Sequence, residues 1–108
     1  MSDRELDAEV AEKVMGLTVT FSLALGGDWT GTWETGYARV RPYSNDISCA
    51  MLVEDRIAEL ELQGLYVREL NKAVGTSRAV TQFELIHATP RERCLAALAA
   101  SKKGKVEN

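Results

Sequence analysis

One histidine, two cysteines and a loose set of arginines and aromatic residues are the groups in this 108-residue chain whose types could do chemistry. His87 would need a nucleophile and an orienting partner to act as a general base. Cys49 and Cys94 are the nucleophiles on offer. Both fall beside the apolar stripes of expected helices, where a free cysteine behaves as a small hydrophobe. A packed or surface histidine is the simpler reading. No His/Cys pair stands at zinc spacing, so neither a metal nor a cofactor is expected. Glu54, Asp55, Glu59 and Glu61 have the spacing of a solvated helix face, and Asp46 suits a helix start better than catalysis. Gly26-Gly27-Asp28-Trp29 lacks the strand–helix context of a phosphate loop and reads as a turn. An enzyme is the least favoured class.

The basic and aromatic residues form the better lead. Arg39 and Arg41 alternate on one side of the segment that enters Pro42-Tyr43. Arg68, Lys72 and Arg78 follow in an expected hairpin, and Arg91 and Arg93 sit in the first turn of the last helix, where free backbone N–H groups favour anions. Brought together, these side chains would hold phosphate, with Trp29, Trp33, Tyr37, Tyr43 or Tyr66 to stack a base. The ligand-binding set expected on this ground is Trp29, Trp33, Arg39, Arg41, Tyr43, Arg68 and Arg78. The competing reading is scattered surface arginines around a Trp/Tyr mini-core.

These residues are positioned by elements that can be read in order. Ser2 and Glu5 have capping-box spacing, and Leu6, Val10 and Val14 make one apolar face ending at Gly16. Glu9 and Lys13 form an i,i+4 pair on the polar side. Leu17 to Leu23 alternates with period two, Gly26-Gly27-Asp28 breaks it, and Trp29 to Arg41 carries two more glycines; a β-hairpin is expected over 17–41, with an ordered loop as the alternative. Ser44 or Asn45 caps a second helix, with Asp46 in its first turn. Its stripe is Ala50, Val53, Ile57 and Leu60, widened by Ile47, Met51 and Leu52, and Gly64 ends it. Residues 65–70 and 78–88 read as two strands joined by a turn. Thr89-Pro90-Arg91-Glu92 starts the last helix. The expected fold class is α+β: an antiparallel sheet between helices in the order α-ββ-α-β-β-α. One domain covers 1–101, with 17–41 as a variable insert and 102–108 as a flexible tail.

Bulk composition fits a single reduced, soluble domain. Two cysteines make no disulfide framework, and no stretch approaches the roughly 20 apolar residues that span a bilayer. The protein is expected in the cytoplasm, without a membrane partner. Net charge is −3, but residues 1–65 hold 12 acidic and 5 basic side chains, against 3 and 8 in residues 66–105. Such a split can mark a basic binding face, although two acidic helices with solvated faces would produce it too.

Three blocks carry a resemblance. Ala11-Glu12-Lys13-Val14-Met15-Gly16 resembles the opening of small phage and prophage proteins. Pro42 to Ala50 is similar to their P-x-YSTDI-x-A segment, and Arg93-Cys94-Leu95-Ala96-Ala97-Leu98 to their ICLAAL segment. Together they look like the phage ABA sandwich domain, whose usual tryptophans are replaced here by Leu17 and by Met51 or Leu52. The resemblance implies layered helix, sheet and helix and a phage origin, but no reaction. The expected function is therefore a non-enzymatic phage accessory protein that sequesters a ligand, in its sharpest form a nucleotide-type immune signal. The alternatives are an inhibitor or adaptor of a host or phage protein, acting through the acidic helices or residues 17–41, and a nucleic-acid-binding accessory protein. A homo-oligomer, with a dimer favoured, is expected because so small a domain buries a modest share of its surface.

Overall fold

The computed structural model describes residues 2–23, 26–33, 36–75 and 81–107, with the side chains of 32–37 and 105–107 excepted. Helix α1 spans Asp3–Lys13 and starts where the capping box places it, the Ser2 hydroxyl accepting the Glu5 N–H at 3.2 Å. Leu6, Val10 and Val14 are fully buried along it, as their fourfold spacing requires. Gly16 turns the chain with φ of +74°, and the Leu17 N–H returns to the Ala11 carbonyl at 2.9 Å.

Residues 19–39 form three strands rather than one hairpin. β1 (Val19–Ser22), β2 (Asp28–Trp33) and β3 (Gly36–Arg39) make an antiparallel meander in that order. The β1–β2 register sets Phe21 opposite Trp29, and the β2–β3 register sets Thr30 opposite Arg39. Gly26 and Gly27, both with φ of +78°, allow the first reversal. The glycines that weakened the expectation of strands lie at that turn or at cross-strand pairs.

Helix α2 spans Ile47–Glu59. Its N-cap is Asp46, which accepts the Cys49 N–H at 3.2 Å, so neither Ser44 nor Asn45 caps it. The reason is a turn closed on the Pro42 carbonyl by the Asn45 and Asp46 N–H groups, which uses up 43–45 before the helix begins. Ser44 is buried instead: its N–H donates to Asp7 Oδ1 at 2.8 Å and its hydroxyl to the Asp3 carbonyl at 3.2 Å. Ala50, Val53 and Ile57 are buried as expected, but Ile47, Met51 and Leu52 are exposed and do not widen the core. Gly64 does not end this helix. Glu61 makes the turn in the left-handed region, with φ of +58°, and the Leu62 N–H bonds the Ile57 carbonyl.

Where the second pair of strands was expected, 65–70 and 82–86 are helical, and residues 78–80 lie outside the described residues. Residues 65–70 lie inside α3 (Gln63–Gly75), and Gln82–Ile86 form the short helix α4. β-Forming Leu65-Tyr66-Val67 is overridden because Tyr66, Glu69 and Leu70, spaced i, i+3, i+4, turn to the interior together. Thr81 caps α4 by accepting the Glu84 N–H at 3.2 Å, a T-x-x-E start that alternation within 78–88 disguised. Helix α5 spans Pro90–Glu107 behind a reciprocal capping box: the Glu92 N–H reaches the Thr89 hydroxyl, and the Thr89 N–H reaches Glu92 Oε1. It continues past Ser101, and Gly104 packs so close to Leu62 that a Cβ there would lie 2.8 Å from a Leu62 methyl.

The fold is α+β, with α5 at its centre. Cys94, Ala96, Ala97 and Ala100 are buried, and these small side chains let α1, α2 and α3 all approach α5, while the sheet lies against α1. Among the described residues no helix is long and apolar enough to cross a membrane. Polar ties close the helix ends: the Ser101 hydroxyl donates to the Lys13 carbonyl, and Arg56 Nε to the Val14 carbonyl. Arg93 is the widest clamp. Its guanidinium donates to Glu54 at 2.8 Å and to the Ala88 and Ile86 carbonyls, while the Tyr66 hydroxyl donates to the same Glu54 oxygen.

Asp7, entirely buried, accepts from both the Ser44 N–H and Arg4 Nη1, the latter at 2.9 Å. Asp7→Ala strands a buried donor and should cost about 3 kcal/mol. Asp7→Asn keeps an acceptor for Ser44 and should cost about half as much. Chemical denaturation of the two variants checks this. Equal losses would show that the acceptor at position 7 is not what matters.

Candidate functional site

The largest hollow described is a cleft of about 480 Å³ between α1 and the β1–β2 ribbon. Glu5, Glu9 and Glu12 line its helical wall because i, i+4 and i+7 share one face of α1. The opposite wall is aromatic. Phe21 and Trp29 face each other edge-on with ring centroids 5.1 Å apart, and Phe21 is 47 % exposed. Their contact follows from the strand register, which pairs them directly.

Arg4 and Asp28 join the two walls. Arg4 Nε donates to Asp28 Oδ1 at 3.0 Å, while Arg39 Nη1 donates to Asp28 Oδ2, also at 3.0 Å. Burial works to raise the Asp28 carboxyl, but the Trp29 N–H at 2.8 Å and the two guanidiniums outweigh it and hold the group below its usual range. The cleft lining thus carries four carboxylates and one guanidinium. Glu12 pairs with Lys13 at 3.2 Å, displacing the Glu9–Lys13 pair expected from spacing. Glu5 and Glu9 have no ion pair among the described residues.

The expected phosphate pocket is distributed rather than gathered. Trp29 lines the cleft, and Arg39 stands beside it on Asp28. Arg41 and Tyr43 share a second hollow of about 440 Å³ with Asp55, Arg56 and Glu59. Tyr43 is fully buried, so its ring cannot stack on a base. Burial pushes its phenol up to about 12, and its hydroxyl has no hydrogen-bond partner among the described residues. Arg68 is exposed on α3, one turn before Lys72, which together with Lys103 meets the buried Glu69. Of the three hollows described, none is lined by Arg39, Arg41 and Arg68 together. Arg91 pairs with Asp3, and Arg93 is committed to its clamp. The Trp33 side chain and Arg78 lie outside the described residues.

Arg4, Glu5, Glu9, Glu12 and Phe21 line the cleft and are not in the ligand-binding set expected from sequence. The carboxylate spacing on α1 was a usable signal. The wall opposite it was not, because Arg4 and Asp28 are 24 residues apart.

The His87 and cysteine arrangement is not that of an activated nucleophile. His87 Nδ1 lies 2.9 Å from the Phe83 carbonyl, and its ring stacks on Phe83. Burial pushes the Cys94 thiol up to about 12, and burial together with Asp46 raises Cys49. A disulfide-exchange reagent at pH 8 should therefore label Cys49 slowly and Cys94 only after denaturant is added. Rapid labelling of both in the native protein would contradict this placement.

Glu69 is held below its usual 4.5 chiefly by Lys103, with burial opposing and Lys72 adding to the lowering. A depressed carboxylate contributes stability that is present above pH 4.5 and lost as pH falls through its folded value. Glu69→Gln should flatten the acid limb of a pH–stability curve below 4.5 and leave it unchanged in shape above. An unaltered acid limb would remove Glu69 from that role.

Neither a curated protein nor a solved structure matches the chain. The sequence model of the phage ABA sandwich domain matches residues 8–98 of the 108, covering most of α1, the sheet, α2 to α4 and the buried first half of α5. With helices and an antiparallel sheet already placed, that match makes the chain a member of the phage ABA sandwich domain family.

Proposed function

We propose that this phage-family protein is a non-enzymatic accessory protein that acts by binding, and that its α1–sheet cleft receives a cationic segment of a host or phage protein. The observation that carries this is the cleft's charge beside its aromatic wall: Asp28 is met by two guanidiniums and Glu12 by Lys13, but Glu5 and Glu9 have no ion pair among the described residues and face Phe21 and Trp29. A phosphate brought to 4 Å from one such carboxylate meets about 4 kcal/mol of repulsion per pair at the effective dielectric of a protein surface. A lysine or arginine meets attraction of the same size. Trp29 adds a cation–π surface worth about 0.5–1 kcal/mol where exposed.

The nucleotide-signal reading retains one supporting observation, the cluster of Arg68, Lys72 and Lys103. That cluster shares no described hollow with Trp29, so phosphate and base would have to be met at different places. The protein-binding reading is therefore preferred.

Calorimetry separates the two. A ten-residue lysine- and arginine-rich peptide should bind at low salt, with affinity falling as salt rises. Glu5→Gln with Glu9→Gln should weaken it about tenfold. Cyclic dinucleotides should give no heat. Tight dinucleotide binding that Arg68→Ala and Lys72→Ala abolish, with no heat from the peptide, would overturn the proposal.

A further inference from the structure

The acidic cleft has a complementary surface on the same molecule. Lys72 on α3 and Lys103 on α5 meet on the single carboxylate of Glu69, and Arg68 stands exposed on α3 one helical turn before Lys72. Lys103 and Lys72 both donate to Glu69 Oε1, whereas Arg68 has no ion pair among the described residues. Two lysines on one carboxylate, with Arg68 one helical turn from Lys72, leave this ridge positive, as the cleft is negative. The basic side chains that stood out in the second half of the sequence thus find a place that phosphate chemistry did not supply.

Topology keeps the two surfaces apart within one chain. α1 and α3 each pack on α5, and the sheet that closes the cleft lies on α1. The ridge sits at the α3–α5 seam, and the cleft on the sheet side of α1. A symmetric cleft-to-cleft contact would set carboxylates against carboxylates. A ridge-to-cleft contact sets opposite charges together, and repeated head to tail it leaves one ridge and one cleft open at the ends of each pair.

We propose that the basic ridge of one copy seats in the acidic, aromatic-walled cleft of the next, so that the protein associates head to tail. This rests on the reading of the cleft as a receptor for cations, and it gives that receptor a first occupant: a second copy, which a more basic partner segment must displace. Phe21, nearly half exposed at the cleft, is covered in the contact.

Mass by light scattering, measured against concentration and salt, tests the proposal. At 20 mM salt the mass should climb through multiples of one chain as concentration rises, and at 0.5 M it should return to one chain. Glu5→Lys with Glu9→Lys, and separately Arg68→Glu with Lys72→Glu, should each remain at one chain at 20 mM. Mixing the two variants should restore association, since every reversed surface then meets its opposite. Circular dichroism confirms that each variant is folded. Should a reversal fail to fold, Glu5→Gln with Glu9→Gln should lower the association constant about tenfold instead.

A wild type that stays at one chain at low salt overturns the inference, as does association insensitive to salt or a mixture that stays dissociated. Failure here is distinguishable from failure of the cleft reading. A wild type that is a single chain yet binds the basic peptide loses only self-association, and one that does neither loses both.

Discussion

The buried carboxylate of Asp7 is the constraint on which the rest of the molecule depends. It has no water to answer to, so its oxygens must be met by the protein: the Ser44 N–H on one and Arg4 on the other. Meeting them fixes three things at once. The turn before α2 is drawn onto α1. Arg4 is held where its remaining donors reach Asp28 at the start of β2. The sheet is thereby set at a defined spacing from α1, and that spacing is the cleft. The apolar stripe of Leu6, Val10 and Val14 supplies most of the attraction between α1 and α5. The polar contacts supply the angle.

The same economy runs through the second half of the chain. The half-buried Glu54 and the buried Glu69 are tolerated because each is reached by cations or hydroxyls from other elements. These contacts use the basic residues unequally. Arg93 is absorbed into structure, Arg91 pairs with Asp3, and the Arg68, Lys72 and Lys103 group keeps an excess of positive charge. Charge asymmetry along the sequence becomes asymmetry between two surfaces because α5 stands between the acidic helix and the basic one.

Local chemistry made the capped helix starts legible. Ser2 and Thr89 behave as their spacing to Glu5 and Glu92 requires, since a capping box is complete within four residues. The family resemblance, carried by residues 11–16, 42–50 and 93–98, implied layered helix, sheet and helix. Legibility ended where a decision needed distant partners. Leu65-Tyr66-Val67 favours a strand by itself, and it becomes helix because Tyr66 must reach Glu54 and Leu70 must reach the core. Ser44 resembles a cap until Asp7, 37 residues away, claims its N–H. The basic pocket failed for the same reason. Neighbours in sequence such as Arg39 and Arg41 go to Asp28 and to the Tyr43 hollow respectively. The cleft was hidden because its two walls meet only after folding.

Arg93 holds α4 chiefly through main-chain oxygens, those of Ile86 and Ala88, with Leu85 and Ala88 as its inward apolar contacts. Carbonyl groups are the same in every residue. The outward positions of α4, Phe83 and Ile86 at 70 % exposure, are therefore anchored by a grip indifferent to what side chains they carry. That short helix is a place where the surface of this fold can be rewritten while its skeleton is conserved, and the licence for that freedom sits on another helix, in a single guanidinium.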